Sequence, residues 1–466
     1  MKGINQNVKL AIEILTPVQA GSGAELFKDL DYIDRAGTAF VVDQIQSFNA
    51  IADSTVELSN ALLSGANLSD LVSAAGQDYG YRIPWLSGKP KLPEKFREHI
   101  KDAMNRPYLP GSAIKGAIRT AIIAEYLRAI PATDYQHLLP SFNDRQSKKN
   151  WASKKLLELI TGKDAKNDIF RPFKVKDALF ANCDLRLADV RWLNEKRWRS
   201  MSTKQSLENW QEADGVTAEV LQPQALAELN LQWDGFLLSG DKWHPQGIPS
   251  LLPKTFSELA DKLNNHAKYR LNSELKYYTA QGKQQPLQEC QKLLKQLEED
   301  NSEAAYLQLC WGSGWRGMTG DWATSEQISL FRELYSLGKK GNPLFPKTRR
   351  LIVSGEPKLP MGWIRLIPYA SVAEKLEQQQ IVLQSKAAQS GWVTQKLAEI
   401  AQLNRCSERD ALRGKGLAEA WQTLADGAEK SAALADIKLR WQAENWWDAP
   451  NGKSAKQAKT IYEQSN

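Results

Sequence analysis

The sequence predicts an α+β fold, and three observations support that prediction. A strand pattern followed by a short glycine-bearing segment and a helix occurs near the N-terminus, and a similar order recurs after residue 304. Several segments between them alternate apolar and polar residues, as half-buried strands do. From residue 371 onward, many Ala, Gln, Glu and Lys residues at helical spacing replace these patterns. We therefore expect two α+β units followed by a helical extension over 371–466.

Composition places the chain among globular proteins. The 466 residues are 42% hydrophobic and 25% charged, enough for two or three domains with sizeable cores. The net charge of +7 is a mild basic bias that excludes few functions. The N-terminus lacks the apolar core of a signal peptide, and the chain has no apolar run of about eighteen residues. We therefore expect a cytoplasmic protein without a membrane span.

The cysteines predict neither a metal site nor a disulfide framework. Cys183, Cys290, Cys310 and Cys406 are far apart and form no CxxC pair. We expect free thiols in a reducing compartment.

Periodicity gives a coarse map of the remaining elements. Strands are predicted over 8–15, 40–43, 173–177, 184–192, 217–221, 226–233 and 305–311, with a strand beginning near 347. Helices are predicted over 44–75 with a turn near Gly65, and over 112–128, 254–301 and 325–337. Residues 76–108 are rich in Gly, Pro, Lys and Arg and are predicted to be irregular, and 235–253 reads as a linker.

The first glycine-bearing segment follows the first strand. Gly21, Ser22 and Gly23 form a small loop in this prediction, and such a loop can turn backbone N–H groups toward a phosphate. A plain turn is the alternative.

The central predicted helix carries two cations near its start. Pro110 and Gly111 break the preceding element, and Ser112 is a good N-cap residue. Lys115 and Arg119 are four residues apart and share one helix face. A helix start of this kind suits a phosphate, because its free N–H groups and positive dipole end point the same way. An ordinary amphipathic helix with solvated charges is the alternative.

Two further basic segments lie in the second half. Gly312, Gly314 and Arg316 belong to a glycine-rich window that lacks the Gly-Lys-Ser/Thr ending of a P-loop. Lys347, Arg349 and Arg350 alternate around a strand start. A structural turn and a solvated strand edge are the respective alternatives. A basic cluster of Arg145, Lys148, Lys149, Lys154 and Lys155 is as typical of a solvated helix face as of an RNA contact.

A long excursion separates two strands that we expect to pair. Between residues 192 and 216 it places Arg197 and Arg199 on either side of Trp198. Basic groups beside aromatic rings suit a finger that follows a phosphate backbone and stacks on bases. A surface loop is the alternative.

The segment Pro110-Gly-Ser-Ala-Ile-Lys-Gly-Ala-Ile-Arg-Thr120 resembles the central motif of the RAMP superfamily of CRISPR-associated RNA-binding proteins. Within that superfamily, the chain is most similar to the terminal backbone subunits of type III-A (Csm) effector complexes. Thr16-Pro17-Val18 with Gly21-Ser22-Gly23 resembles the opening motif of these subunits. Residues 346–351 with 360–366 resemble their closing motif. The resemblance covers roughly residues 8–368.

This resemblance implies two ferredoxin-like (RRM-like) RAMP domains over 1–235 and 236–370, with helical insertions and an added extension over 371–466. It also implies that the glycine segments and the central helix bind the backbone of CRISPR RNA (crRNA), and that a β-hairpin "thumb" presses between nucleotides. The implied partners are crRNA, neighbouring backbone and small subunits, target RNA by proximity, and host nucleases that trim the crRNA 3′ end. No cofactor, metal or catalytic residue is implied.

Three other functions stay open from the sequence. The first is a RAMP endoribonuclease, although His99, His137, His244 and His266 are scattered and lie outside the glycine segments. Asp29, Asp31 and Asp34 near the first glycine segment are the acidic residues to test for metal-dependent cleavage. The second is a backbone subunit of a Cmr-type complex, and the third is a protein scaffold with solvated basic loops.

Overall fold

The computed structural model describes residues 5–51, 68–74, 79–88, 91–130, 154–238, 251–300, 303–317, 328, 332, 345–378, 392–424, 428–443, 446–447, 450 and 452–463. The chain divides into two compact units, Met1–Ser371 and Val372–Asn466. The turn predicted near Gly65 and the side chains of the basic cluster over 145–155 lie outside the described residues, as does nearly all of the helix predicted over 325–337.

The first unit contains all the described strands and seven of the described α-helices. Its strands are β1 Gln6–Ile14, β2 Gly21–Phe27, β3 Tyr32–Arg35, β4 Thr38–Val42, β5 Gly80–Ile83, β6 Lys95–His99, β7 Tyr108–Leu109, β8 Phe173–Val175, β9 Ala178–Leu179, β10 Leu185–Asn194, β11 Arg197–Arg199, β12 Ser206–Leu207, β13 Val216–Leu221, β14 Leu226–Trp233, β15 Ala305–Gln308, β16 Thr348–Ser354, β17 Glu356–Pro360 and β18 Trp363–Pro368. Its helices are α1 Gln44–Ile51, α2 Leu68–Ala74, α3 Gly111–Ala129, α4 Lys154–Thr161, α5 Gly235–Leu238, α6 Phe256–Gln281 and α7 Gln284–Asp300. This mixture of helix and sheet confirms the predicted α+β class.

One five-stranded antiparallel sheet forms the centre of the first unit. Its order is β15-β18-β1-β14-β8, so β1 lies in the middle and pairs with β14 and β18. Leu10, Ile12 and Ile14 of β1 are buried, as the alternating pattern predicts. Helix α3 packs against β8 and α6, and α6 packs against β15, so the main apolar core lies between these helices and the sheet.

A second sheet contains the strands that carry many residues of the candidate site. Its main order is β12-β11-β10-β13-β6-β2, and β16 pairs with β10 and β17. A smaller core of Ala188, Val190, Trp192, Val220, Ile352 and Met361 covers one of its faces. Both sheets therefore combine strands from before and after residue 235, and the division of the first unit into two ferredoxin-like domains stays a prediction.

The stretch 76–108 is not irregular, contrary to the sequence prediction. It contains β5, β6 and β7, and β6 pairs with β2 on one side and β13 on the other. These pairings join residues that are far apart in the chain, so they leave little trace in local composition.

The second unit is helical in its described part. It contains α8 Trp392–Asn404, α9 Glu408–Arg413, α10 Lys415–Gln422, α11 Ala428–Ala443 and α12 Lys453–Glu463. Trp421, Trp441 and Tyr462 are buried at its centre, and the Trp441 and Tyr462 rings meet edge to face at 5.8 Å. The unit therefore has its own apolar core. None of the described helices in either unit is long and apolar enough to cross a membrane.

Candidate nucleic-acid interface

The central helix begins one residue earlier than predicted, and Ser112 is not its N-cap. Pro110 occupies the cap position and offers no side-chain hydrogen bond, while Ser112 lies exposed in the first turn. The Gly111 N–H donates to Asp177 Oδ1 at 2.6 Å, so a carboxylate of the chain itself occupies this helix start. Gly111 is required here because a Cβ would overlap the Val175 carbonyl oxygen.

Lys115 and Arg119 have partners within the chain. Lys115 Nζ donates to the Phe173 carbonyl oxygen at 2.5 Å, and burial lowers the pKa of Lys115 below its usual value. Arg119 pairs with Asp168 at 2.8 Å and donates to Thr161 Oγ1 at 2.6 Å. Both side chains therefore tie α3 to the segment 161–173, and none of their described contacts reaches a glycine segment. Their role as phosphate ligands stays a prediction.

The first glycine segment is the start of a strand, not the loop that the sequence predicts. Gly21 pairs with His99, and the register of β2 shifts between Gly21 and Glu25. Gly23 has a φ of 96°, which favours glycine at this bulge. Ser22 Oγ donates to Glu98 Oε2 at 2.6 Å. A carboxylate thus lies beside the backbone that we predicted to face a phosphate, and the role of Gly21, Ser22 and Gly23 in RNA binding stays a prediction.

A buried polar network connects the first glycine segment to the approach of α3. His99 is fully buried, and its Nδ1 accepts from the Ala20 N–H at 3.3 Å. The Nε2–H therefore donates to the Tyr108 carbonyl oxygen at 3.2 Å. Burial, with a contribution from the Lys101 ammonium, lowers the pKa of His99 to about 3. The ring is neutral and links Ala20, the residue before β2, to Tyr108 of β7.

The same network fixes the strand β6 to β13. Glu219 is fully buried, and its Oε2 accepts from the His99 N–H at 2.8 Å and from Lys101 Nζ. Its Oε1 accepts from the Tyr81 hydroxyl at 3.1 Å. Burial raises the pKa of Glu219 above its usual value although Lys101 opposes that shift. His99 is thus a structural residue, not an acid–base catalyst exposed to a ligand.

The second glycine segment lies directly beside the first. The Trp311 N–H donates to the Gln19 carbonyl oxygen at 3.1 Å, and the two residues form an isolated antiparallel bridge. Gly312 and Gly314 have φ angles of 104° and 74°, and a Cβ at Gly312 would overlap Met361. The fold therefore brings together the two glycine segments that the sequence places almost three hundred residues apart.

A cavity of about 260 Å³ opens behind the second glycine segment. Its described lining contains six cationic side chains and one carboxylate, Glu274. The cationic residues are Arg270, Arg316, Arg332, Lys347, Arg349 and Arg350. Arg270 donates to Gln308 Oε1 at 2.6 Å and to the Ser313 carbonyl oxygen at 3.2 Å, and so holds the glycine segment in place. The cavity wall is strongly positive.

The three basic residues predicted around β16 have different surroundings. Arg349 is half-buried, pairs with Glu274 at 2.6 Å and lies 4.0 Å from the Tyr277 ring centroid. Burial alone would lower the pKa of Arg349, and the Glu274 carboxylate raises it above its usual value. Lys347 lies 3.9 Å from Glu195. Arg350 lies 4.9 Å from the centroid of the Trp311 ring.

The predicted thumb is a short β10–β11 hairpin. Arg197 and Arg199 are exposed, but Trp198 is only 5% exposed and lies under Lys283, whose Nζ is 5.2 Å from the ring centroid. In this arrangement Trp198 packs within the protein, so only the two arginines face solvent. Their contact with RNA stays a prediction.

Sequence reasoning missed Arg97 and Trp311. The Arg97 guanidinium lies 4.7 Å from the centroid of Trp311, so this ring contacts both Arg97 and Arg350. Arg97 was hidden in the stretch predicted to be irregular. The residues around Arg97 do not alternate between apolar and polar as a half-buried strand does: Lys95, Glu98 and His99 are polar, and Phe96 is the one apolar residue among them. Trp311 was visible as the aromatic residue that ends the strand before Gly312.

The acidic residues near the first glycine segment bond to the backbone. Asp31 Oδ2 accepts from the Phe27 N–H at 2.8 Å, and Asp34 Oδ1 accepts from the Gly37 N–H at 2.7 Å. Within the described ranges, no group of three or more His, Cys, Asp or Glu side chains is placed to hold a metal ion.

Comparisons with known proteins agree with this architecture. Over 400 residues the chain is 27% identical to the CRISPR system Cms protein Csm5 of Methanocaldococcus jannaschii, covering 78% of this chain and 89% of that protein. It also resembles a protein chain in the cryo-EM structure of a Csm–crRNA–target RNA ternary complex of a type III-A CRISPR-Cas system. That match has a TM-score of 0.53 and 23% identity, and it covers 77% of this chain and 99% of the other. Residues 11–317 match the sequence pattern of the RAMP superfamily. The chain therefore belongs to the RAMP superfamily.

Proposed function

We propose that this protein is a non-catalytic, crRNA-binding subunit that caps the 3′ end of the backbone of a type III-A CRISPR effector complex. In this role it supports maturation of the crRNA 3′ end in antiviral defence in the cytoplasm. Its partners are crRNA, the neighbouring backbone and small subunits, target RNA by proximity, and host nucleases. The similarity to Csm5 along most of both chains supports this assignment.

One observation carries the proposal: the antiparallel bridge between Gln19 and Trp311 that joins the two glycine segments beside a positive cavity. Backbone N–H groups and arginine side chains bind phosphates without reading bases. A guide must vary in sequence, so a subunit that holds it gains from contacts to the backbone alone. The RNA strand is proposed to run along four segments of the chain: 21–23, 111–119, 312–316 and 347–350.

The test is whether single-stranded RNA binds with a steep salt dependence and little sequence preference. Two unrelated RNAs of equal guide length are titrated with the purified chain at several salt concentrations. Phosphate contacts give an affinity that falls linearly on logarithmic axes as salt rises. Binding that is absent, or that favours one sequence strongly, would contradict the proposal.

Catalysis is tested separately with Asp29→Ala, Asp31→Ala and Asp34→Ala variants. The proposal expects that the purified chain leaves RNA intact and that none of these changes alters this. Cleavage by the wild type that any one substitution abolishes would instead assign an endoribonuclease.

A further inference from the structure

Two arginines from distant strands share one aromatic ring at the junction of the glycine segments. The guanidinium groups of Arg97 on β6 and Arg350 on β16 lie 4.7 and 4.9 Å from the centroid of Trp311. Arg350 also lies 5.9 Å from the Trp192 ring, its cross-strand neighbour on β10. The Trp192 and Trp311 rings meet edge to face at 5.9 Å. Two cations and two aromatic rings therefore form one cluster, which we call the Trp311 cluster.

The cations of the Trp311 cluster lack acidic partners within the part of the chain that the structure describes. Neither Arg97 nor Arg350 forms an ion pair there, although Glu25 is the cross-strand neighbour of Arg97. Glu25 pairs with Lys95 at 2.5 Å instead. The Nε atom of Arg350 is buried and has no hydrogen-bond partner. Burial and the nearby charge of Arg97 lower the pKa of Arg350 below its usual value.

Two other half-buried arginines in the described part of the chain do have acidic partners. Arg349, the next residue along β16, pairs with Glu274, and Arg365 pairs with both Glu13 and Asp300. A half-buried pair of like charges without an anion is unfavourable, because each loses hydration and each repels the other. An anion placed between the two groups removes both costs. Guanidinium groups suit this role because their planar N–H donors can bind two oxygens of one phosphate.

We propose that Arg97 and Arg350, held against Trp311, bind a single phosphodiester group of a single-stranded RNA. The bound strand then crosses the protein where the two glycine segments meet, because Trp311 is bridged to Gln19 and precedes Gly312. This inference rests on the proposed RNA-binding function and adds a specific phosphate site to it. RNA is favoured over an acidic peptide because Arg350 also lines the cavity whose described wall carries six cations and one carboxylate, which suits a continuous polyanion.

The experiment combines charge removal on the protein with charge removal on the RNA. Binding is measured for the wild type and for Arg97→Gln/Arg350→Gln, using one guide-length RNA and a series in which each linkage in turn is a neutral methylphosphonate. The matched control is Lys292→Gln/Lys295→Gln, which removes the same charge from the exposed face of α7. Thermal melting checks that all variants fold.

The expected result is a loss of affinity of roughly 10- to 100-fold in the double arginine variant and little change in the lysine control. One neutral linkage should weaken the wild type by a similar factor and should cost the arginine variant nothing further. Arg97→Lys/Arg350→Lys should recover only part of the loss, because Lys keeps the charge without the planar fork.

The outcomes separate this inference from the function on which it rests. If the wild type binds RNA and the double arginine variant binds equally well, the Trp311 cluster is not a phosphate site while the proposed function stands. The same holds if every neutral linkage costs both proteins alike. If the wild type binds no RNA, both are overturned, and capture of an acidic peptide by Arg97 and Arg350 would then identify a protein interface.

Discussion

At the residue scale, the most informative contrast in the described part of the chain is between cations that bond to an acceptor of the chain and cations that have no such bond there. Lys115, Arg119 and Arg349 each bond to an acceptor of the chain, whereas Arg97 and Arg350 meet at Trp311. A basic residue in a motif is therefore a weaker sign of a phosphate site than a basic residue without a partner. The sequence shows charge but does not show pairing.

Arg349 gives the first prediction at this scale. Arg349→Met should destabilise the fold by roughly 3–5 kcal/mol, because it leaves the buried Glu274 carboxylate without its partner. Arg349→Met/Glu274→Met should recover much of that loss, as measured by the free energy of unfolding in urea. Equal destabilisation in the single and double variants would show that the pair itself is not the cause.

Gly116 gives the second prediction. It lies exposed within α3, and a Cβ there would have no atom within 4 Å. Gly116→Ala should therefore stabilise the protein by up to about 1 kcal/mol in thermal melting. Gly111→Ala is the control and should destabilise, because its Cβ would overlap Val175. If Gly116→Ala stabilises the fold but weakens RNA binding, the RNA strand approaches α3 closely. If Gly116→Ala destabilises the fold, the space around Gly116 is not free for a Cβ.

At the scale of elements, the sequence predicts what depends on local pattern. The stripe of Ile114, Ile118 and Ile122 predicts α3 to within a residue or two, and the alternation in β1 predicts a buried strand. The strand β6 could not be predicted in this way, because its pairing depends on β2 and β13 and on a buried network centred on His99. The junction of the glycine segments likewise depends on one bridge across the fold, between Gln19 and Trp311.

The His99 network gives a pH prediction. The pKa of this ring is about 3 in the fold and near its usual value of 6.5 when unfolded. The unfolded chain therefore binds a proton between these values that the folded chain does not, so stability is kept above pH 6.5 and falls as the pH drops toward 3. As the pH falls over this range, the free energy of unfolding should decrease more steeply for the wild type than for His99→Gln. The difference in slope should be up to about 1.4 kcal/mol per pH unit. Parallel pH profiles would contradict the neutral, buried assignment of His99.

At the scale of the whole molecule, the features proposed to bind RNA all lie in one of the two compact units. Both glycine segments, the positive cavity and the Trp311 cluster belong to Met1–Ser371, and Val372–Asn466 has a separate apolar core. The sequence predicts a helical extension here from its composition and from helical spacing.

A truncation tests whether the first compact unit is sufficient for RNA binding. A chain ending at Ser371 should fold and bind single-stranded RNA with an affinity within about threefold of the full chain, since it keeps every cation of the proposed path. Binding is compared by fluorescence anisotropy with a labelled guide-length RNA, and a melting curve confirms folding. A folded truncated chain that no longer binds would place essential RNA contacts in the helical unit.

The central claim is that this protein holds an RNA strand by its phosphates and does not read its bases. The most direct measurement is the dissociation constant for two unrelated guide-length RNAs across a salt series, for the wild type and for Arg97→Gln/Arg350→Gln. The account predicts equal affinities for the two RNAs and a steep salt dependence in the wild type. In the variant, the slope of log affinity against log salt concentration should be shallower by roughly one. A strong preference for one sequence, or an affinity that does not change with salt, would contradict it.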